Sequence, residues 1–184
     1  MQWFYKLPYD PVKGITPVGL LHSGPFLLAV NNGVAANSVK EFIDLVRAKP
    51  AAFNFGSSGI GGASHLATEL FKQMTNTQST HVPYKGDAPA ISDLIGGQVQ
   101  YILSSVPALI QHVKGGKVRA LAVTTAQRWP ELSDLPAVAE TVQENLRADG
   151  RAPAHTSPAE FARIIERDIG KWSKVVKAGN IKVN

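Results

Sequence analysis

The residues in this chain best suited to hold a small anion are grouped in one run, Gly56-Ser57-Ser58-Gly59-Ile60-Gly61-Gly62-Ala63-Ser64-His65. Serines bring hydroxyl donors, and glycines let the backbone come close to a ligand. Apolar Phe53 and Phe55 precede the run, and Leu66, Leu70 and Phe71 follow at helical spacing, so the run reads as a turn between a strand and a helix. The first turn of a helix carries N–H groups without intrahelical partners and a partial positive charge, which favours a carboxylate. Gly-Ser turns also join strands to helices without binding anything, so the run counts as a site only if other groups converge on it.

Two such groups are placed by the same reasoning. Tyr84 and Lys85 follow the short strand pattern Thr80 to Pro83, and Ser104 and Ser105 follow the apolar pattern Val99 to Leu103. In an open parallel sheet, ligands bind beyond the carboxyl ends of the strands. The predicted ligand-binding set is therefore Ser57, Ser58, Gly59, Gly61, Ser64, His65, Tyr84, Lys85, Ser104 and Ser105. Hydroxyls and N–H groups dominate it, with the Tyr84 phenol and the Lys85 charge as additions.

Several chemistries are excluded or left without support. A nucleotide-binding P-loop needs Gly-Lys-Ser or Gly-Lys-Thr after the turn, where this chain has Ala63-Ser64-His65. Ser64 and His65 are neighbours on a helix and their side chains diverge, so they do not make a nucleophile and base; His65 is expected to pack or donate a hydrogen bond at the helix start. His22, His81, His112 and His155 stand alone without metal-ligand spacing, and no cysteine is present. Neither a catalytic residue, a metal nor a cofactor is expected. The formal net charge is +5, but the basic residues are scattered rather than run together, which argues against nucleic acid.

The elements that must carry these residues alternate between strand and helix. Thr16 to Leu21 and Phe26 to Val30 read as strands. Ser38 caps a helix through Val39, Phe42, Ile43 and Val46, with Glu41 completing a capping box and Pro50 closing it. Ala88 to Ile95 forms a short helix ended by Gly96-Gly97, and Pro107 opens another that runs to Gly115-Gly116. Lys117 to Thr125 is a further strand. From Pro158 a long amphipathic helix follows, capped by Thr156 or Ser157, while Thr141 to Ala154 suits a linker. The alternation predicts an α/β fold with a mostly parallel sheet flanked by helices. No apolar run approaches the roughly 20 residues that cross a bilayer, and Met1-Gln2-Trp3-Phe4 does not open a signal peptide, so no leader is expected.

Four spaced segments, LPYDPVKGITPVGLL, SSGIGGASHLATELFK, HVPYKGDAPAISDLIGGQVQ and GGKVRALAVTTAQRWPELSDLPAVAE, resemble in order the second domain of the Bug family. These are the extracytoplasmic solute receptors of tripartite tricarboxylate transporters. The segment TSPAEFARIIERDIGKWSKVVKAG is similar to the family's C-terminal helix. The resemblance implies a type II periplasmic-binding-protein-like lobe, a small carboxylate solute, membrane transporter subunits as partners of the full-length protein and a periplasmic location. It places the Gly56–His65 and Ser104–Pro107 segments toward a cleft between lobes. In the family much of the carboxylate clamp comes from glycine-rich loops of the first lobe, which this chain largely lacks. The expected organisation is a second lobe over residues 1–140, a shortened connection over 141–155 replacing a first-lobe excursion, and a C-terminal helix over 156–184 packed on the lobe. Half a clamp supplies fewer donors, each charge-assisted bond being worth about 1.5–3 kcal/mol, so affinity is expected to be low. Removal of a lobe is also expected to expose an apolar face that supports a homodimer. Two alternatives stay open: an effector-sensing lobe of a transcriptional regulator, which shares the two-lobed fold, and an esterase using a loop serine.

Overall fold

The computed structural model describes residues 24–125, 127–141 and 158–181, together with residues 8–10, 14, 16 and 18. It divides into two compact units, Gly24–Gly150 and a second made of Met1–Ser23 with Arg151–Asn184. The expected strand over Thr16 to Leu21, the linker beyond Thr141 and the cap at Thr156 or Ser157 lie outside the described residues.

Among the described residues the larger unit holds five strands: β1 Phe26–Asn31, β2 Asn54–Ser57, β3 Thr80–Pro83, β4 Tyr101–Ser105 and β5 Val118–Val123. Its main helices are α1 Val39–Ala48, α2 Ala63–Thr75, α3 Asp87–Gly96 and α4 Val106–Lys114, followed by the one-turn α5 Val138–Thr141. The sheet order is β3-β2-β4-β1-β5. β2 pairs in parallel with β3 and with β4, whereas β1 runs antiparallel to both β4 and β5. Four strands therefore share one direction and β1 opposes them, so the sheet is mixed in its ladders while mostly parallel in strand direction.

Alternation along the strands sends side chains to two layers. Leu28, Val30, Phe55, Tyr101 and Leu103 join Phe42, Val46 and Phe71 on the α1/α2 face. Leu27, Ala29 and Ile102 join Ile91, Leu94 and Leu109 on the α3/α4 face. Between Leu28 and Ala29 the register against β5 shifts, and Leu121 is the extra residue; Leu121 and Ala122 consequently fall in the same core layer. Phe42 is the centre of the first layer, wholly buried and in ring contact with Phe53, Phe71 and Tyr101 at 5.9, 6.4 and 5.0 Å.

The caps match the sequence signals closely at α1. Ser38 Oγ accepts the Glu41 N–H at 3.2 Å, and Glu41 Oε2 accepts the Asn37 N–H at 2.7 Å, one residue earlier than the usual capping box. Asn31 ties the end of β1 to the far end of α3: its Nδ2 donates to the carbonyls of Leu94 and Ile95 while its Oδ1 accepts the Gly33 N–H. One expected boundary fails. β4 begins at Tyr101 and ends at Ser105, two residues later than its apolar pattern implies, and α4 starts at the next residue. Ser104 and Ser105 are thus strand residues rather than a loop, because Ser104 pairs with Leu27 and Ser105 with Phe26.

In the smaller unit, α6 covers Pro158–Ala178, the long helix expected from the spacing of Ile164, Ile165, Ile169, Trp172, Val175 and Val176. Phe42→Ala should destabilise the larger unit by about 3–5 kcal/mol, because it removes a fully buried ring that three others touch; urea denaturation followed by circular dichroism measures this, and a loss under about 1 kcal/mol would contradict the assigned core.

Candidate functional site

Since β2, β3 and β4 are mutually parallel, their carboxyl ends fall on one edge of the sheet, and each hands over there to a helix. The register brings Ser57 opposite Pro83, with Gly56 opposite Ile102 two residues before Ser104. The sequence-predicted segments are accordingly collected at one edge. What each residue does there differs from the simple inventory.

The turn from Ser57 to Ser64 spends most of its polar groups on itself. Ser64 Oγ accepts the Ser58 N–H at 2.9 Å and lies 2.8 Å from Ser58 Oγ. Ser57 Oγ accepts the Gly59 N–H and faces the Gly59 carbonyl, both at 3.2 Å. The Gly61 N–H donates to His65 Nδ1 at 3.0 Å. The carbonyls of Ser57 and Ser58 accept the N–H groups of Tyr84 and Gly86 at 3.0 and 3.2 Å, stitching this turn to the one after β3. Gly59 and Gly61 have φ of 132° and 73°, conformations that side chains disfavour, and a Cβ at Gly59 would stand 3.4 Å from the Tyr84 carbonyl. Ser57 and Ser64 are buried within this network.

Of the two roles expected of His65, packing is the one it takes, against Phe55 and His81; toward the turn it accepts a hydrogen bond rather than donating one. Because Nδ1 is the acceptor, the proton of the neutral ring is on Nε2. His81, which its isolated position in the sequence left without a role, is the larger omission. Its ring stacks on His65 at 3.8 Å between centroids and 14° between planes, and on Phe55 at 4.7 Å and 17°. His81 Nε2 lies 2.6 Å from Ser57 Oγ. Strand register could have found it, since Phe55 and His81 are direct partners across the β2/β3 ladder, but register is not written in either strand alone. The Ser57–His81 contact is not an esterase dyad, because Ser57 is fully buried.

Burial holds the His65 pKa down to about 4, with the positive charge of Lys72 adding to the effect. Burial likewise holds His81 down to about 3, with contributions from His65 and then Lys72. Lys72 itself pairs with Glu69 at 2.6 Å and lies 5.1 Å above the Phe55 ring.

Tyr84 is engaged with α3 instead of an open site. Its hydroxyl donates to Asp93 Oδ2 at 2.6 Å, and burial together with that bond pushes its pKa up to about 12. Lys85 follows β3 in the turn that leads to α3. Ser105 is the N-cap residue of α4 yet makes no capping hydrogen bond. Ser104 is 1% exposed, and its Oγ has no hydrogen-bond partner among the described residues; Asp87 Oδ1, at the start of α3, is the other buried oxygen in that condition.

The helix starts add a further contrast. Among α1 to α4, only α1 carries a side-chain cap. The N-cap residues of α2, α3 and α4 are Gly62, Gly86 and Ser105, none with a side-chain hydrogen bond, and all three helices begin at the same sheet edge. Asp87 brings a carboxylate of its own to the first turn of α3, which leaves α2 and α4 as the starts without an acid.

A family model described as Tripartite tricarboxylate transporter family receptor matches residues 2–167. The chain belongs to this family. Its members are receptors and not enzymes. Protein BugT of Bordetella pertussis is 32% identical over 217 aligned positions, which take in 97% of this chain and 67% of that protein. A UPF0065 protein from the tcbD-tcbE intergenic region of Pseudomonas sp. strain P51 is 34% identical over 76% of this chain and 42% of its own length. The chain spans between 39% and 67% of the length of the curated relatives it matches. Among solved structures, R. palustris Rpa4515 with adipate has a TM-score of 0.85 at 31% identity, covering 98% of this chain and 74% of that one. A structure described as a periplasmic transporter gives 0.82 at 30% identity, covering 97% and 73%. The periplasmic binding protein BugD shares the fold, with a TM-score of 0.82 at 23% identity, covering 98% and 75%.

The two imidazoles make stability depend on acid. Unfolded, each takes up a proton near pH 6.5, whereas folded each resists protonation until about 4 and about 3. Between those limits the unfolded chain binds more protons, so stability is full above pH 6.5 and falls as pH falls, by up to about 1.4 kcal/mol per pH unit for each group. Urea midpoints between about pH 7.5 and about pH 4 measure this slope, and it should shrink in His81→Gln; a flat profile would contradict a neutral buried pair.

Proposed function

We propose that this chain is a solute-binding receptor for small organic carboxylates that serves a tripartite tricarboxylate-type transporter in the periplasm, with its larger unit acting as one lobe of a two-lobed clamp. Family membership and the adipate in the 31%-identical Rpa4515 structure support the solute class. The observation that carries the reading is the convergence of uncapped helix starts on one sheet edge beside a buried hydroxyl without a partner. A folded chain leaves such groups unpaired where something else pairs them, and N–H groups with a helix dipole behind them favour an anion.

The turn between Ser57 and Ser64 is then a frame rather than a ring of donors. Its hydroxyls and N–H groups hold one another, while the N–H groups of the first turns of α2 and α4, with Ser104 Oγ and Ser105, face the carboxylate. Asp87 disfavours an anion at α3. On this reading part of the other lobe of the clamp has no counterpart in the chain. The BugT alignment agrees with this: 97% of 184 residues is about 178, so about 39 of the 217 aligned positions have no counterpart in the chain.

Titration of the protein with adipate and malate, followed by amide NMR, should shift Ala63, Ser64, Val106 and Ala108 most. No shift in these amides at millimolar ligand would sink the assignment. Ser104→Ala separates function from fold: deleting an unpaired buried hydroxyl should raise the stability of the ligand-free protein by about 1 kcal/mol while weakening carboxylate binding about tenfold. Equal binding by Ser104→Ala would remove Ser104 from the site.

A further inference from the structure

We infer that His65 and His81 are positioning residues, a stacked neutral pair that clamps both ends of the Ser57–Gly62 turn and so aims the start of α2 at its ligand. This rests on the proposed carboxylate site at that helix start.

The hydrogen-bond geometry defines a role for each ring. His81 Nε2–H donating to Ser57 Oγ lets that hydroxyl donate in turn to the Gly59 carbonyl while it accepts the Gly59 N–H. With the opposite tautomer, the single Ser57 proton would go to His81 and the Gly59 carbonyl would lose its donor. His81 therefore fixes the first half of the turn through Ser57. His65 fixes the second half through Gly61. Both rings then carry their proton on Nε2, which allows them to stack at 3.8 Å without facing charges.

α1 shows what His65 replaces. There the third helical residue, Glu41, reaches back to the N–H of Asn37, the residue before the N-cap. In α2 the third helical residue is His65, and it reaches back in the same way to Gly61, the residue before the N-cap Gly62. The two helices differ at the cap itself: Ser38 covers an N–H of α1, whereas Gly62 covers none of α2. A side chain at the third position thus holds the chain's entry into α2 while the N–H groups beyond the cap remain available. A glutamate in that place would add a negative charge beside an anion site; a neutral imidazole accepts the same bond without it.

The bond also depends on protonation. A second proton on His65 would enter at Nδ1 and point at the Gly61 N–H, so the clamp opens when this ring becomes charged. Among the described residues, the charged and titratable side chains around the pair are Lys72 and its partner Glu69 from α2, with Tyr101 of β4 against the Phe55 ring that both imidazoles contact. Burial and Lys72 resist that charge, whereas Glu69 is paired with Lys72.

The test compares His65→Leu, His65→Gln, His81→Leu and His81→Gln with the parent chain, using adipate as probe and the Gly59 and Gly61 amide signals as a readout independent of ligand. Imidazole nitrogen shifts should show both rings of the parent with the proton on Nε2. At about pH 7 the leucine variants should bind adipate about tenfold more weakly and lose the parent positions of the Gly59 or Gly61 amide, while the glutamines recover to within about threefold. The ratio of parent to His65→Gln affinity, in which protonation of adipate cancels, should fall as pH drops from about 6 to about 4. Leucine variants that keep the parent's amide shifts and affinity would overturn the inference, as would an affinity ratio that stays constant with pH. If the parent itself fails to bind adipate while the leucine variants still displace the amides, the carboxylate reading is what fails and the clamp on the turn stands. A result with neither binding nor displacement overturns both.

Discussion

Because β2, β3 and β4 run in one direction and are adjacent, each must pass to its helix at the same edge of the sheet, and three helix starts are forced together there. Partial positive charges of like sign are thereby brought side by side. β1 runs against them, and the helix that follows it begins elsewhere and carries a side-chain cap. The contrast between a capped α1 and uncapped α2, α3 and α4 follows from where strand direction puts their ends. Everything else at the edge can be understood as a way of living with that concentration of unpaired donors.

Asp87 offsets one of the three starts with its own carboxylate. The other two are left open, and Ser104 adds a buried hydroxyl without a partner among the described residues. Each such group destabilises the ligand-free fold by an amount comparable to a lost hydrogen bond, about 1–3 kcal/mol for a buried one. The two apolar layers, centred on Phe42 on one face and on Leu94 and Ile102 on the other, provide the stability against which that deficit is set. Buried groups left unsatisfied in the free protein gain more from a bound anion than groups already paired within the fold.

The turn between β2 and α2 solves a second problem, which is rigidity without capping. Hydrogen bonds within the turn and others to the Tyr84–Gly86 segment hold its path, and the imidazole stack of His65 and His81 closes both ends. Neutral rings suit the position because Lys72 and the helix start already supply positive charge nearby. The cost of that choice is sensitivity to acid.

Much of the fold was legible in the chain. β3 fell on its predicted residues, Ser38 capped α1 as its spacing implied while Glu41 reached back to Asn37, one residue beyond the expected box, and Pro107 lies in the first turn of α4. These are local signals, carried by residues within a turn or two of one another. The collection of Ser57, Ser64, Tyr84 and Ser104 at one sheet edge was also foreseeable, since alternating strand and helix makes parallel ladders the economical arrangement. Tertiary structure alone decided what those residues do. It placed Ser104 in a strand through its pairing with Leu27, turned the Tyr84 hydroxyl to Asp93, spent the loop serines on the loop and brought His81 onto His65. The physical reason is register: a side chain's partner across a ladder is set by the alignment of two strands far apart in sequence, and one step of slip would send it to the opposite face.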